Sequence, residues 1–254
     1  MSLPEPHPAG VALVTGASAG IGAAIARELA QRGHGLVLVA RRQERLEALA
    51  SELSEKFGVR AEVLACDLTK PVARQRLAGR IGRLGLEVDI LVNNAGMQDR
   101  CPAADFPLDA WDRVVSVNLR AVFQLCQLFG RPMLERGEGK IVNLASLLSF
   151  QGGLNVIAYA ASKGGVAQLT MALCNEWSGK GINVNAIAPG YMETEMNTAL
   201  LGDAARLEQL STRIPAGRWG TPADIGHVVV FLASPAAAYV HGQILAVDGG
   251  WMAR

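Results

Sequence analysis

Short apolar runs alternate with longer segments of helical periodicity along the whole chain. The runs have the length of buried strands and are bounded by glycine, proline or polar residues. They predict strands over residues 11–15, 36–40, 61–66, 88–92, 140–145, 182–188 and 244–247. Between them, apolar residues recur at every third or fourth position, as on one face of a helix. This spacing predicts helices over residues 21–32, 44–57, 70–84, 109–134, 156–178 and 221–233.

Regular alternation of strand and helix is typical of right-handed crossovers that build a parallel sheet. We therefore predict an α/β fold, a doubly wound Rossmann fold in which helices flank both faces of a seven-stranded parallel sheet. Residues 1–254 are predicted to form a single nucleotide-binding domain, because no linker, repeat or low-complexity tract divides the chain. Periodicity weakens over residues 191–215, and this irregular segment is predicted to be a substrate lid.

Composition narrows the classes of function. Among the 254 residues the net charge is +1 with no basic run, so nucleic acid is not expected as a partner. No stretch is apolar for the roughly 18 residues that a membrane span needs, and the proline-rich start lacks a signal core. We expect a cytoplasmic protein that contacts neither nucleic acid nor membrane. The four cysteines form no CxxC pair, which argues against metal and disulfides; they are Cys66, Cys101, Cys126 and Cys174.

A glycine-rich turn follows the first predicted strand directly. The residues Gly16, Gly20 and Gly22 stand between that strand and the first helix. Glycines allow a tight turn and close approach of a pyrophosphate, while the helix N-terminus offers free N–H groups and partial positive charge. The sequence therefore predicts a dinucleotide site at this turn.

A tyrosine and a lysine with helical spacing lie in the predicted helix 156–178. Tyr159 and Lys163 are four residues apart, so they share a face, and an ammonium there is expected to lower the pKa of the phenol. Ser146, at the end of the fifth strand, can hold a substrate carbonyl, and Tyr159 can exchange a proton with its oxygen. Asn118 could position a water that resupplies protons.

Five motifs together resemble the classical short-chain dehydrogenase/reductase family. They are TGASAGIG at 15–22, NNAG at 93–96, Ser146, YAASK at 159–163 and PG at 189–190. The resemblance implies a nicotinamide cofactor, a homotetramer and four catalytic residues, namely Asn118, Ser146, Tyr159 and Lys163. It places Asp67 at the adenine and Thr194 at the nicotinamide carboxamide. The implied cofactor-binding residues are Gly16, Ser18, Ala19, Gly20, Ile21, Gly22, Asp67, Leu68, Asn94, Ala95, Gly96, Tyr159, Lys163, Pro189, Gly190, Met192 and Thr194.

The C-terminal half resembles one branch of that family more closely. Segments 146–153, 183–192, 213–220 and 246–251 are similar to those of the gluconate and deoxygluconate dehydrogenases. This implies hydride transfer between nicotinamide and a secondary alcohol or ketone of a sugar acid. Two alternatives stay open: a reductase of 3-oxoacyl thioesters or small ketones, and a nucleotide-binding module without turnover.

The end of the second strand bears on the choice of cofactor. An NAD enzyme of this family usually has an acid at the position of Ala40, whereas here Arg41 and Arg42 follow an apolar residue. Guanidinium groups pair well with a ribose 2′-phosphate. We therefore favour NADP(H) and keep NAD(H) as the alternative.

A sugar acid requires a cation and several polar groups near the catalytic residues. Arg100 is the candidate for the carboxylate, unless it is a surface charge paired with Asp99 or Asp105. Ser146, Gln151 and Tyr159 are the other predicted substrate contacts. Further polar candidates in the same segments are Gln98, Ser149 and Asn155.

Overall fold

The computed structural model describes residues 10–198, 202 and 204–254. The predicted domain spans residues 1–254 and the predicted lid spans 191–215. Residues 1–9 of the former and residues 199–201 and 203 of the latter therefore lie outside the described part of the chain.

Seven strands form one parallel sheet in the order β3-β2-β1-β4-β5-β6-β7. They are β1 (Val11–Thr15), β2 (Gly35–Ala40), β3 (Ala61–Ala65), β4 (Val88–Asn93), β5 (Gly139–Leu144), β6 (Ile182–Pro189) and β7 (Ile244–Val247). The order reverses at β1, whose neighbours are β2 and β4. The predicted doubly wound fold with a seven-stranded parallel sheet is confirmed.

Helices cover both faces of this sheet. They are α1 (Gly20–Gln31), α2 (Gln43–Phe57), α3 (Pro71–Arg83), α4 (Leu108–Val115), α5 (Ala121–Arg136), α6 (Ile157–Trp177), α7 (Ala204–Ser211) and α8 (Pro222–Ala233). Within the described residues, no helix is both long and apolar enough to cross a membrane.

One aliphatic core lies on each face of the sheet, which explains why the strand sequences are unbroken apolar runs. Along β1, Ala12 and Val14 pack against α1, α2 and α8, whereas Leu13 points to the opposite face, toward α3, α5 and α6. Successive side chains of a strand alternate between faces, so burial on both faces requires apolar residues at every position. The chain therefore buries the whole middle of the sheet and leaves its carboxyl edge for polar groups.

The structure differs from the predicted single helix over 109–134. A π-helical segment, Ser116–Arg120, separates α4 from α5 and carries Asn118. Such segments occur where a side chain takes over backbone hydrogen bonds, often at functional sites. Hydrophobic spacing does not reveal this change, because one inserted residue per turn leaves apolar positions on both sides nearly in phase.

The irregular segment predicted over 191–215 contains regular structure. A single 3₁₀ turn spans Glu195–Asn197, and α7 follows at Ala204–Ser211. Leu210 and Ile214 pack with Leu147, Trp219 and Trp251 in a small separate cluster. The helix has only two turns, so its apolar positions give little periodic signal.

We expect Gly22→Ala to destabilise the fold at the start of α1. A Cβ atom at Gly22 would lie 2.3 Å from the carbonyl oxygen of Gly16 and 2.5 Å from Nδ2 of Asn94. Because backbone must move to make room, the free energy of unfolding should fall by about 1–3 kcal/mol, measured by urea denaturation.

The matched control is Gly82→Ala in α3. No heavy atom lies within 4 Å of the Cβ position there, so this variant should gain up to about 1 kcal/mol of helix propensity. Equal stability of the two variants would contradict the tight turn described here.

Candidate active site

The carboxyl ends of the strands open into one cavity of about 570 Å³. Its walls come from the segments that follow β1 to β6, with the crevice at the point where the strand order reverses. Ligands of open parallel sheets bind at this point, because the connections from neighbouring strands diverge to opposite faces there. All the predicted cofactor-binding residues line this cavity, and so do the predicted substrate contacts Ser146, Tyr159, Gln151 and Arg100.

Hydrogen bonds join the glycine turn to the turn after β4. The Thr15 hydroxyl accepts hydrogen bonds from the backbone N–H groups of Asn94 and Ala95, both at 3.0 Å, and donates to the Val92 carbonyl. In return the Asn94 amide donates to the Thr15 carbonyl at 2.9 Å. These contacts hold the two turns at a fixed separation across the crevice.

The glycine turn fits a pyrophosphate. Gly16 and Gly20 have left-handed φ angles of 68° and 52°, which other L-residues rarely adopt. No side chain caps the N-terminus of α1 and no acid lies in its first turn. The first N–H groups of the helix therefore remain available to an anion, favoured by the helix dipole.

Asp67, which is predicted to contact the adenine, is held by the turn after β3. Its Oδ1 accepts hydrogen bonds from the backbone and hydroxyl groups of Thr69, at 3.0 and 2.8 Å. Burial acts to raise the pKa of this carboxyl, but the Thr69 hydrogen bonds outweigh it and the pKa is lowered. Asp67 is therefore an ionised acceptor at neutral pH.

Arg42 makes contacts that the sequence did not reveal. Its Nε and Nη2 donate to the Ser18 hydroxyl at 3.3 and 3.2 Å, and its Nη1 pairs with Glu195 at 3.2 Å. Arg41 lines the same wall, and Ala40 offers no acid. Arginines thus stand at the expected place, but one is already paired with a carboxylate from the segment after β6.

Ser146, Tyr159 and Lys163 converge on the cavity. Ser146 caps a 3₁₀ turn, where its hydroxyl accepts a hydrogen bond from the Leu148 N–H at 3.2 Å. Tyr159 lies in the first turn of α6 and Lys163 one turn later. The Lys163 Nζ donates to the Leu144 carbonyl at 2.5 Å and lies 5.6 Å from the centre of the Tyr159 ring.

The pKa values of this pair differ from the expectation. Burial lowers the pKa of Lys163 to about 8, since the ammonium loses water without gaining a carboxylate partner. Burial also raises the pKa of Tyr159, and the hydrogen bond with Ser146 offsets only part of that shift. The predicted lowering of the Tyr159 pKa by Lys163 is therefore wrong for the chain alone, because desolvation of the buried phenol dominates.

Asn118 lies behind the cavity wall and does not line it. Its Oδ1 accepts a hydrogen bond from the Met97 N–H at 2.9 Å, and its Nδ2 donates to the Met97 carbonyl and to the Ser162 hydroxyl. Both amide hydrogens are used within the protein, and the predicted role of Asn118 in positioning a water stays a prediction. The side chain joins the segment after β4 to α6, since Ser162 in turn donates to the Tyr159 carbonyl.

The predicted substrate end is only partly assembled as expected. Arg100, Gln98 and Gln151 line the cavity. Ser149 and Asn155 do not: the Ser149 hydroxyl donates to the Lys163 carbonyl at 2.7 Å, and the Asn155 carbonyl accepts from the Cys101 N–H at 3.0 Å.

The alternative role of Arg100 is not supported in the described residues. Asp99 pairs with Arg113 at 3.7 Å, and Asp105 takes part in no ion pair with Arg100. Arg100 lines the cavity and forms no ion pair within the described residues, so it remains a candidate for binding an anionic ligand.

Sequence reasoning missed several lining residues. The periodic patterns gave no signal for them because they lie in irregular segments; they are Met97, Leu147, Leu148, Val156, Tyr191, Glu195 and Asn197. Tyr191 has a detectable context: its ring lies 5.3 Å from that of Trp219 and 4.7 Å from that of Trp251. Because the chain has few aromatic residues, Tyr191, Trp219 and Trp251 could have indicated that they pack together beside the cavity.

Lys163 makes the stability of the ligand-free protein depend on pH in a defined window. Its pKa is about 8 when folded and near the ordinary 10.5 when unfolded, so between these values the unfolded chain binds more protons. Its burial cost is fully present below pH 8 and declines as the pH rises through the window. The stability of wild type relative to Lys163→Met should therefore increase from pH 7 to pH 10.5, by on the order of 3 kcal/mol.

The same measurement on Lys180→Met, which removes an exposed amine, provides the reference slope. Chemical denaturation at several pH values measures both differences. A Lys163→Met slope equal to this reference would contradict the assignment of a charged, buried Lys163 at neutral pH.

Comparison with known proteins adds independent evidence. A family profile described as enoyl-(acyl carrier protein) reductase matches residues 16–252. The 2-dehydro-3-deoxy-D-gluconate 5-dehydrogenase of Bacillus subtilis is 49% identical, over 96% of this chain and 94% of that protein. The gluconate 5-dehydrogenase of Gluconobacter oxydans is 41% identical over 94% of this chain and 93% of that protein.

A solved structure shares both fold and sequence. The gluconate 5-dehydrogenase of Burkholderia cenocepacia, crystallised with NADP and tartrate, has a TM-score of 0.92 and 40% identity, covering 96% of each chain. The sequence identity extends over nearly the full length of the chain. In addition, the glycine turn, Ser146, Tyr159 and Lys163 lie in one cavity. The chain belongs to the short-chain dehydrogenase/reductase family.

Proposed function

We propose that this protein is an NAD(P)-dependent oxidoreductase that transfers a hydride between nicotinamide and a secondary alcohol or ketone of a sugar acid. The substrate is of the gluconate or deoxy-ketogluconate type. One observation carries the enzyme class: the Ser146 hydroxyl, the Tyr159 phenol and the Lys163 ammonium meet in the cavity that also contains the glycine turn. A nucleotide-binding module without turnover would not need this set.

Different residues of the chain hold different parts of the cofactor. The glycine turn and the N-terminus of α1 hold the pyrophosphate, Asp67 and Leu68 the adenine, and Arg41 and Arg42 a 2′-phosphate. The nicotinamide half is held by the remaining predicted residues at the carboxyl ends of β4 and β6, namely Asn94, Ala95, Gly96, Pro189, Gly190, Met192 and Thr194, together with Tyr159 and Lys163. A nicotinamide held there would supply the acceptor or the donor of the hydride.

Tyr159 and the residues around it transfer the proton. The Ser146 hydroxyl holds the oxygen of the substrate, and the Tyr159 phenol donates a proton to it during reduction or removes one during oxidation. Lys163 keeps a cation near this phenol and can bond a ribose hydroxyl. Asn118 supports both residues by fixing α6 to the segment after β4.

NADP(H) is the favoured cofactor. Arg41 and Arg42 line the cavity where β2 ends, and the Burkholderia cenocepacia enzyme was crystallised with NADP. NAD(H) stays open, because Arg42 is shared with Glu195.

A sugar acid is favoured by the charge and polarity of the substrate end. Arg100 reaches the cavity without a carboxylate partner among the described residues, and Gln98 and Gln151 add amide groups beside it. The relatives named above act on gluconate-type acids, according to their names. A reductase of 3-oxoacyl thioesters remains the alternative, since one catalytic set serves both reactions.

We extend the proposal to assembly and location. A homotetramer would cover apolar side chains that are exposed in the single chain, among them Phe123 on α5, Ile157 on α6, and Tyr239 and Leu245 around β7. A cytoplasmic location agrees with four free cysteines, because thiols persist in a reducing compartment. The segment 191–215 is proposed to act as the lid, since five of its residues border the cavity, namely Tyr191, Met192, Thr194, Glu195 and Asn197.

Tyr159→Phe tests the proton path. The substitution removes the phenol proton and keeps the ring, so we expect turnover to fall about a hundredfold to ten-thousandfold. Binding of NADPH, followed by fluorescence titration, should change little because the ring contacts remain. A variant that retained near-normal turnover would rule out Tyr159 as the proton donor.

The substrate is tested by rates on a panel of acids, ketones and thioesters with both cofactors. We expect the highest kcat/KM for a gluconate-type acid, and Arg100→Ala should raise KM for that acid about tenfold, roughly 1.4 kcal/mol. Reduction of an uncharged ketone should be nearly unchanged. Arg76→Ala in α3 is the control, because it removes an exposed cation that does not line the cavity.

If a 3-oxoacyl thioester is the best substrate of the panel, the sugar-acid assignment fails while the catalytic assignment stands. If Arg100→Ala affects acid and ketone equally, Arg100 does not contact the carboxylate.

A further inference from the structure

Glu195 lies between two arginines at the edge of the cavity. Its Oε1 is 2.6 Å from Nη1 of Arg45, and its Oε2 is 3.2 Å from Nη1 of Arg42. The arginines belong to the start of α2, whereas Glu195 belongs to the 3₁₀ turn after β6. The contact therefore bridges the opening of the cavity between segments that are remote in the chain.

Arg42 is shared between Glu195 and the glycine turn. Its other two nitrogens face the Ser18 hydroxyl at 3.3 and 3.2 Å. Ser18, Arg42 and Glu195 all line the cavity, whereas Arg45 does not. The guanidinium assigned to a 2′-phosphate is thus neutralised from the opposite wall, while Arg45 anchors the carboxylate from outside.

The carboxylate is fully ionised at neutral pH. The hydrogen bonds from Arg45 and then Arg42 hold the pKa of Glu195 below its ordinary value. A 2′-phosphate seated on Ser18 and Arg42 would stand near this negative charge and compete with it for the same guanidinium. A ribose with a free 2′-hydroxyl would meet no such repulsion, and the carboxylate could accept its proton.

Glu195 supplies the carboxylate that is absent from the end of the second strand. The second strand ends in Ala40, so no carboxylate at that position can accept a ribose hydroxyl. Glu195 brings a carboxylate to the same end of the cavity from a different segment. A plain surface ion pair would stabilise the fold only slightly, because both side chains are about half exposed.

We propose that Glu195 is a specificity-determining residue that lowers the affinity for a 2′-phosphorylated adenine nucleotide relative to an unphosphorylated one, by competing for Arg42. The inference rests on the proposed nucleotide site and refines it. The protein accordingly discriminates between NADP(H) and NAD(H) less sharply than Arg41 and Arg42 alone would allow.

The test uses two nucleotide fragments and needs no turnover. Calorimetry at low ionic strength measures binding of adenosine 2′,5′-bisphosphate and of 5′-AMP to wild type and to Glu195→Gln. The amide keeps the shape and removes the charge, so affinity for the bisphosphate should rise about three- to fivefold, as for the loss of an exposed ion pair. Affinity for 5′-AMP should stay equal or fall, and the gain should shrink as salt is added.

Two further variants separate this effect from general charge. Glu193→Gln makes the same charge change two residues earlier, on a side chain that does not line the cavity, and should leave both affinities unchanged. In an Arg42→Ala background, Glu195→Gln should improve binding of the bisphosphate much less than it does in wild type, because the shared guanidinium is gone.

An unchanged ratio of the two affinities in Glu195→Gln, with both fragments bound, would overturn the role of Glu195 and leave the proposed function intact. An equal gain in Glu193→Gln would reduce the effect to net charge and overturn it as well. If neither fragment bound to wild type, the nucleotide site itself would be wrong, and the proposed function and this inference would fall together.

Discussion

The site depends on the junction between the ends of β1 and β4. The Thr15 hydroxyl receives the N–H groups of Asn94 and Ala95, and the Asn94 amide returns a hydrogen bond to the Thr15 carbonyl. Two turns that would otherwise move independently are thereby held together at the reversal of strand order. The glycine turn, the crevice and the start of α1 all take their positions from this junction.

The catalytic side of the cavity is built at a cost in stability. Lys163 is buried with a backbone carbonyl as its partner and no carboxylate, and Tyr159 is desolvated beside it. Asn155 adds a left-handed φ of 61° just before α6. Buried charges and strained backbone persist only where the surrounding structure holds them in place. Here Asn118, Ser162 and the sheet do so. Both features are typical of functional sites.

Charged side chains around the cavity are arranged by contacts between segments that are far apart in sequence. Glu195 pairs with Arg42 and Arg45 across the cavity, and Asp99 pairs with Arg113 rather than with its neighbour Arg100. In both cases, the ion pair that forms depends on which oppositely charged side chain is nearest in space. A charged residue at the surface has several possible partners, and small differences in distance select among them.

The sequence by itself determined the order of strands and helices, the parallel sheet, the glycine turn and the trio of Ser146, Tyr159 and Lys163. These features follow from local rules: burial on both faces requires apolar strands, a left-handed turn requires glycine, and helical spacing puts Tyr159 beside Lys163. Only the tertiary structure decided the π segment that carries Asn118, the raised pKa of Tyr159 and the pairing of Glu195 with Arg42. Those properties depend on desolvation and on distances between remote segments, which no local pattern of residues encodes.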